Sequence, residues 1–331
     1  MFDASVNHGI ARDGAPAPMV RLLGWGMLAI LAAYLINNVL VVFHGFPGAA
    51  AAFSGGGLMA LIQAAIFVIL SALAVFYVMR NPNTALRWDA NRITRFNIWI
   101  IRCCFWIVLL VGIADAIIAF MRTENLLINF MSREMVVQFG LSHFVGPYVH
   151  VPLILVGILL GSVTRTLGFT WLALMIVAAE LLIVISRFVF SYEQALMGDL
   201  VRYWYAALFL FASAYTLLDE GHVRVDVFYA GMSPRGKGKV NAFGSIFLGI
   251  TTCWVIIAIG LGSKTSIINS PIANFEVTQT GGTGMFIKYQ MAAFLAIFAV
   301  TMLIQFVSYL FEAVADMRDE PGKRETSAIS H

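Results

Sequence analysis

Residues 218–239 read LDEGHVRVDVFYAGMSPRGKGK, and two strongly apolar stretches, Leu200–Leu217 and Val240–Leu261, flank them. Each flank approaches the ~20 apolar residues that carry a helix across a hydrocarbon core of ~30 Å. The pattern of apolar span, charged loop and apolar span extends along the whole chain. Spans are expected near Leu22–Phe43, Leu58–Met79, Ile98–Phe120, Tyr148–Thr164, Phe169–Phe190, Leu200–Leu217, Val240–Leu261 and Ile287–Val314. The fold class that follows is an all-α integral membrane protein with about eight transmembrane helices.

Composition agrees with this reading. Of 331 residues, 60% are hydrophobic and 12% charged, whereas a soluble domain carries roughly 25% charged residues. The bilayer is therefore the solvent. The net charge of +3 is no nucleic-acid signal, because the basic residues sit in short segments beside apolar spans, where they set topology. With the N-terminus inside, Arg12, Arg21, Arg80, Arg87, Arg92, Arg95, Arg165, Arg224, Arg235, Lys237, Lys239, Arg318, Lys323 and Arg324 fall on the cytoplasmic side. Arg122, Arg133, Arg187, Arg202, Lys264 and Lys288 fall outside. That excess places both termini, and the 218–239 loop, in the cytoplasm. The first residues lack the apolar core of a cleavable signal peptide. Cys103, Cys104 and Cys253 lie in apolar stretches and form neither a disulfide framework nor a CxxC metal site.

Between the spans, Met121–Pro147 reads as a candidate interfacial helix, and Ser263–Met285 as an irregular, Gly-rich periplasmic loop. Its Gly-Gly-Thr-Gly lacks the GK[ST] ending of a phosphate-binding loop. Leu86-Arg87-Trp88-Asp89 and Val223-Arg224-Val225-Asp226 echo one another at matching places in consecutive sets of four spans.

Ionisable residues within spans are costly and usually face a partner or a wet cavity. Asp115, Glu180 and Arg187 are the intramembrane polar candidates, with Arg102 just inside the third span. Asp115 lies roughly 25 Å from the inner end of its span and Arg187 roughly 27 Å from the inner end of its own. Matched depth and opposite charge predict an Asp115–Arg187 pair. Glu180 and Arg187, seven residues apart, form one polar stripe, read either as an ion path or as a packing face. His44, His143 and His150 fall on the outer side and are the candidate ligands for a haem-binding, quinone-linked redox subunit. No nucleophile–base pair and no metal-ligand cluster appears, so no catalytic residue, cofactor-binding residue or metal site is assigned.

The stretch Glu220-Gly-His-Val-Arg-Val-Asp226, at the end of one span and followed by Met232-Ser-Pro-Arg235 and another span, resembles the small membrane (DctQ-like) subunit of tripartite ATP-independent periplasmic (TRAP) transporters. The form HVRVDVFY…MSPR looks most like the mannitol/chloroaromatic branch. The likeness divides the chain into a cytoplasmic tail (1–21), a four-helix N-terminal extension (22–168), a DctQ-like four-helix core (169–318) and a C-terminal tail (319–331). It implies a non-catalytic small permease, or scaffold, subunit in the bacterial inner membrane that needs no cofactor of its own. Its partners would be membrane lipids, a large DctM-like permease subunit that carries sodium coupling, and a periplasmic substrate-binding protein that delivers a small organic acid. Glu220, His222, Arg224, Asp226, Pro234 and Arg235 become the subunit-contact or structural motif, and Glu193 a periplasmic contact. A self-sufficient secondary transporter using Asp115, Glu180 and Arg187 is the remaining reading.

Overall fold

The computed structural model describes residues 11–165, 168–218, 229, 231–277 and 283–322. Eight helices among them are long and apolar enough to cross a membrane: α1 Pro18–His44, α2 Gly57–Arg80, α3 Leu86–Thr123, α4 Ser142–Val163, α5 Phe169–Val189, α6 Ala195–Leu218, α7 Pro234–Gly260 and α8 Lys288–Met317. The described residues hold no strand, only an isolated antiparallel bridge between Asp13 and Thr84. The all-α membrane fold and the eight spans stand as the hydropathy indicates.

The largest departure from the apolar pattern is α3. It begins at Leu86, twelve residues before the expected Ile98, and its 38 residues extend for ~57 Å, well beyond the hydrocarbon thickness. Two of the charges in its first turns, Arg87 and Asp89, are buried against partners on neighbouring helices, while Arg92 and Arg95 are exposed. Helix α4 also starts early and runs through Pro147 by means of a π-turn over Gly146–His150, which absorbs the extra residue that proline would otherwise force out of the hydrogen-bond ladder. A second π-turn, Ser245–Ile250, lies within α7. The 121–147 segment forms a 3-10 turn at Leu126–Asn129 and a short helix at Arg133–Phe139 rather than one continuous interfacial helix. In the 263–285 loop, one short helix spans Asn269–Ala273.

The chain forms two compact units, residues 1–97, 214–266 and 299–331 in the first, and 98–213 and 267–298 in the second. Each draws on both sides of position 168. In the first unit, Leu31, Ala60, Leu86, Ile257, Leu303, Val307 and Phe311 are buried. Small residues allow the close approach that helix association in lipid relies on. A side chain on Gly238 would stand 2.6 Å from the Ala313 carbonyl oxygen, so α7 and α8 approach backbone to backbone here. In the second unit, Ile101, Phe105, Val111, Ile176, Phe211 and Phe294 are buried. A Cβ at Gly157 would meet the Ile107 backbone nitrogen at 2.8 Å, and one at Gly161 the Cys103 Cα at 2.7 Å. Helices α3 and α4 are thus in contact along a glycine seam. Trp171, Leu174, Val177, Leu181, Leu182 and Phe188 of α5 remain exposed, the composition of a face that meets acyl chains or another membrane helix.

Because backbone atoms oppose Gly161, nothing nearby can swing aside. Gly161→Ala is expected to destabilise the folded protein by the ~1–3 kcal/mol typical of overpacking. Gly26→Ala, where an added Cβ meets no atom within 4 Å, should leave thermal unfolding in detergent unchanged or slightly raised.

Candidate functional site

The segment 219–228, which contains Glu220, His222, Arg224 and Asp226, lies outside the described residues. The second half of the motif is resolved, and its role is local. Ser233 caps α7 by accepting the Gly236 N–H at 3.2 Å, and Pro234 occupies the first helical turn, where its missing N–H has no consequence. Arg235 reaches Asp319 beyond the end of α8 through Nε at 2.9 Å and Nη2 at 2.6 Å. Lys237 lies over the Tyr229 ring, 5.2 Å from its centroid, and the Tyr229 hydroxyl accepts from Asn241 at 2.8 Å. The Met-Ser-Pro-Arg sequence is therefore a helix start with an exposed tether to the end of α8.

The buried charges cluster elsewhere. At the head of α3, Arg87 donates to Glu312 and to Asp316 (2.7 Å) on α8, and to the Glu320 carbonyl (3.1 Å). Two residues on, Asp89 is fully buried and accepts Arg21 Nε at 2.8 Å, Trp25 Nε1 at 2.9 Å and the Tyr77 hydroxyl at 3.0 Å. One turn deeper, Thr94 and Ser308 pair at 2.8 Å, and the Asn97 amide donates to the Thr301 carbonyl at 2.9 Å. Each contact joins α3 to α1, α2 or α8 by a group that would be costly to leave unpartnered in lipid.

In the second unit, three charged side chains hold the strip that leads into α8. Asp115 Oδ2 accepts the Phe286 N–H at 2.6 Å, and Asp199 Oδ2 accepts the Met285 N–H at 3.0 Å. Arg122 donates to the Gly284 carbonyl and stacks over the Phe286 ring, 4.0 Å from its centroid. His150 is also fully buried, with Nδ1 2.6 Å from the Tyr289 oxygen and Nε2 3.3 Å from Asp115 Oδ1.

The polar groups around the imidazole can be placed in turn. Tyr203 donates to Gln290 Oε1, so the Gln290 amide nitrogen is the group 3.2 Å from His150 Nδ1 and 3.1 Å from the Tyr289 oxygen. Nδ1 thus sits between the Tyr289 hydroxyl and an amide, both donors, and takes the acceptor role. With the amide in this orientation, Nε2 is the ring nitrogen that faces the Asp115 carboxylate. That facing contact is misaligned for a hydrogen bond and acts electrostatically. Imidazole, phenol and amide form a hydrogen-bonded cluster beside the Asp115 carboxylate that joins α4, α6 and α8, with α3 in contact through Asp115.

The expected Asp115–Arg187 pair does not form. Asp115 is buried against Phe286 and His150, while Arg187 turns to Glu193 at 3.5 Å with both side chains more than half exposed. Matched depth fixes height along the bilayer normal but not the direction in which a helix presents a side chain. Glu180 is exposed on α5, so Asp115, Glu180 and Arg187 make no common path. Glu193 has Arg187 as its partner, and Arg102 donates to the Thr164 carbonyl. The histidines are not presented as a ligand pair either. His44 and His143 are exposed, and both ring nitrogens of His150 face protein groups. Among the described residues no group of three or more His, Cys, Asp or Glu is placed to hold a metal ion, and all three cysteines are free and buried. His150, expected as a haem ligand, instead meets Tyr289 and Asp115, and Asp199 was not singled out because it lies at a span end, where a polar residue is ordinary.

The buried charges described above join helices within each unit. Residues 176–316 match the family described as tripartite ATP-independent periplasmic transporters, DctQ component. This region is the small permease component of a TRAP transporter, and the chain is a multi-pass inner-membrane protein. No curated protein and no solved structure matches it.

Asp115→Leu leaves the buried Phe286 N–H without an acceptor, an omission that costs about 1–3 kcal/mol. It should lower the unfolding temperature in detergent, whereas Arg187→Gln, on an exposed pair, should change stability by no more than about 0.5 kcal/mol. Equal effects of the two substitutions would contradict the assigned contacts.

Proposed function

We propose that this chain is the static scaffold subunit of a sodium-dependent TRAP importer for a small organic acid. It would sit beside a large DctM-like permease that carries the sodium and substrate sites, with a periplasmic binding protein delivering the substrate. Both termini would face the cytoplasm, as the distribution of basic residues suggests. One observation carries the reading: the buried charges Arg21, Arg87, Asp89, Asp115 and Asp199 all engage protein partners that lock helices together. A moving transport domain needs polar groups exposed to substrate and ions near the bilayer midplane, whereas a scaffold needs rigidity. Mixed polar contacts along the described spans serve the second purpose.

In this proposal Glu220, His222, Arg224 and Asp226 form a contact with the large subunit or with the bundle at the cytoplasmic end of α6. Glu193, exposed beside Arg187, is available to a periplasmic partner. The N-terminal extension enlarges the scaffold, because Arg87 from the extension and Glu312 from the family region are direct partners.

Purification in mild detergent should recover a many-span permease together with this chain. Liposomes holding both, supplied with the binding protein, should take up a labelled organic acid only under an inward sodium gradient. Uptake by this chain alone would overturn the scaffold reading. Arg224→Ala is expected to reduce recovery of the complex without preventing membrane insertion, and unchanged recovery and uptake at equal expression would remove Arg224 from the interface.

A further inference from the structure

A cavity of about 190 Å³ opens at the end of α2 and the start of α3, far larger than a single water requires. Three guanidinium groups line it, those of Arg12, Arg92 and Arg95, with Asn81 and Thr84 as neutral polar walls and the rings of Tyr77 and Trp88 beside them. No carboxylate is among the lining groups. Asp89, next to Trp88, is already satisfied by Arg21, Trp25 and Tyr77, and Asp13, next to Arg12, is not among the lining residues. Among the described residues, none of the three arginines pairs with an acid. Arg92 donates to the Tyr77 hydroxyl at 2.9 Å and lies over the same ring.

Arg12 is brought there by the backbone. The Arg12 carbonyl accepts the Ala85 N–H at 2.9 Å, and the Gly14 N–H donates to the Asn83 carbonyl at 2.7 Å. The N-terminal segment is thus stitched to the α2–α3 link as a short antiparallel bridge. Basic side chains that merely snorkel to the membrane surface would need neither this stitching nor a shared cavity. The location also fits a charged ligand at the membrane boundary. Helix α2 ends at Arg80, and α3 has about 27 Å more length than the hydrocarbon core requires.

We propose that this cavity binds a phosphate group, carried by an anionic phospholipid or present as the free anion. Guanidinium forks match phosphate oxygens in pairs, basic pockets between membrane helices are suited to anionic headgroups, and Trp88 and Tyr77 offer the amphipathic rings found at that depth. The inference is independent of the transporter reading.

The test uses the full chain in mild detergent. Native mass spectrometry follows binding of phosphatidylglycerol and of phosphatidylcholine, and calorimetry follows inorganic phosphate. For a lipid site, phosphatidylglycerol binds saturably and more tightly than phosphatidylcholine. The pair Arg92→Gln/Arg95→Gln then weakens it by about 25-fold, about fivefold for each guanidinium near the surface, and inorganic phosphate does not compete. For a free-anion site, inorganic phosphate binds saturably, and the same pair abolishes that binding while phosphatidylglycerol is unaffected. Arg80→Gln, outside the lining, should alter neither. Arg12→Gln, on the tail and outside every helix, gives a second reading if the pair misfolds, with a loss of about fivefold expected. Phosphatidylglycerol and phosphate affinities that ignore Arg12, Arg92 and Arg95 overturn the proposal.

Discussion

A guanidinium buried among helices needs its charge met by protein groups, and Arg87 meets that demand by reaching Glu312 and Asp316 across to α8. Much of the first unit follows from this contact and its neighbour, Arg21–Asp89. Together they hold the first turns of α3 as helix despite four charges in ten residues. Removing one partner from such a pair costs more than the pair contributes, because the survivor is left charged and dry. The interaction therefore acts as a constraint on arrangement: α1, α2, α3 and α8 have few alternative packings that satisfy all of these groups together.

The same logic operates in the second unit with a different donor set. There the acceptors Asp115 and Asp199 take up backbone N–H groups at Phe286 and Met285, which precede the first turn of α8 and have no intrahelical acceptor. A non-helical strip next to lipid is tolerable only where its polar groups are satisfied by protein. The His150–Tyr289–Gln290–Tyr203 network then fills the space beside the Asp115 carboxylate with groups of compatible polarity.

Within each unit, these contacts join residues before the matched region 176–316 to residues inside it. Arg87, Asp115 and His150 lie before position 168, while Glu312, Phe286 and Tyr289 lie after it. Each compact unit contains both kinds. The Leu-Arg-Trp-Asp sequence at 86–89, which echoes Val-Arg-Val-Asp at 223–226, turns out to supply two buried charges at the head of a helix.

Much of the architecture is legible in the amino-acid order because lipid imposes a one-dimensional rule. A span must be apolar for about twenty residues whatever it packs against, so the eight helices follow from composition along the chain. The MSPR start of α7 is equally local, since a serine cap and a first-turn proline act within four residues. The site was harder to read. Charged residues at 87–95 looked like a loop because their partners lie on α1, α2 and α8, over two hundred residues away in the case of Glu312. Asp115 suggested Arg187 by depth, yet azimuth chose His150 and Phe286. Hydropathy along the chain thus determined how many helices cross the bilayer and roughly where. Which charges meet was decided only by the tertiary structure, because pairing depends on how each helix is rotated about its axis, and that rotation is set by glycine seams and buried polar contacts between segments distant in sequence.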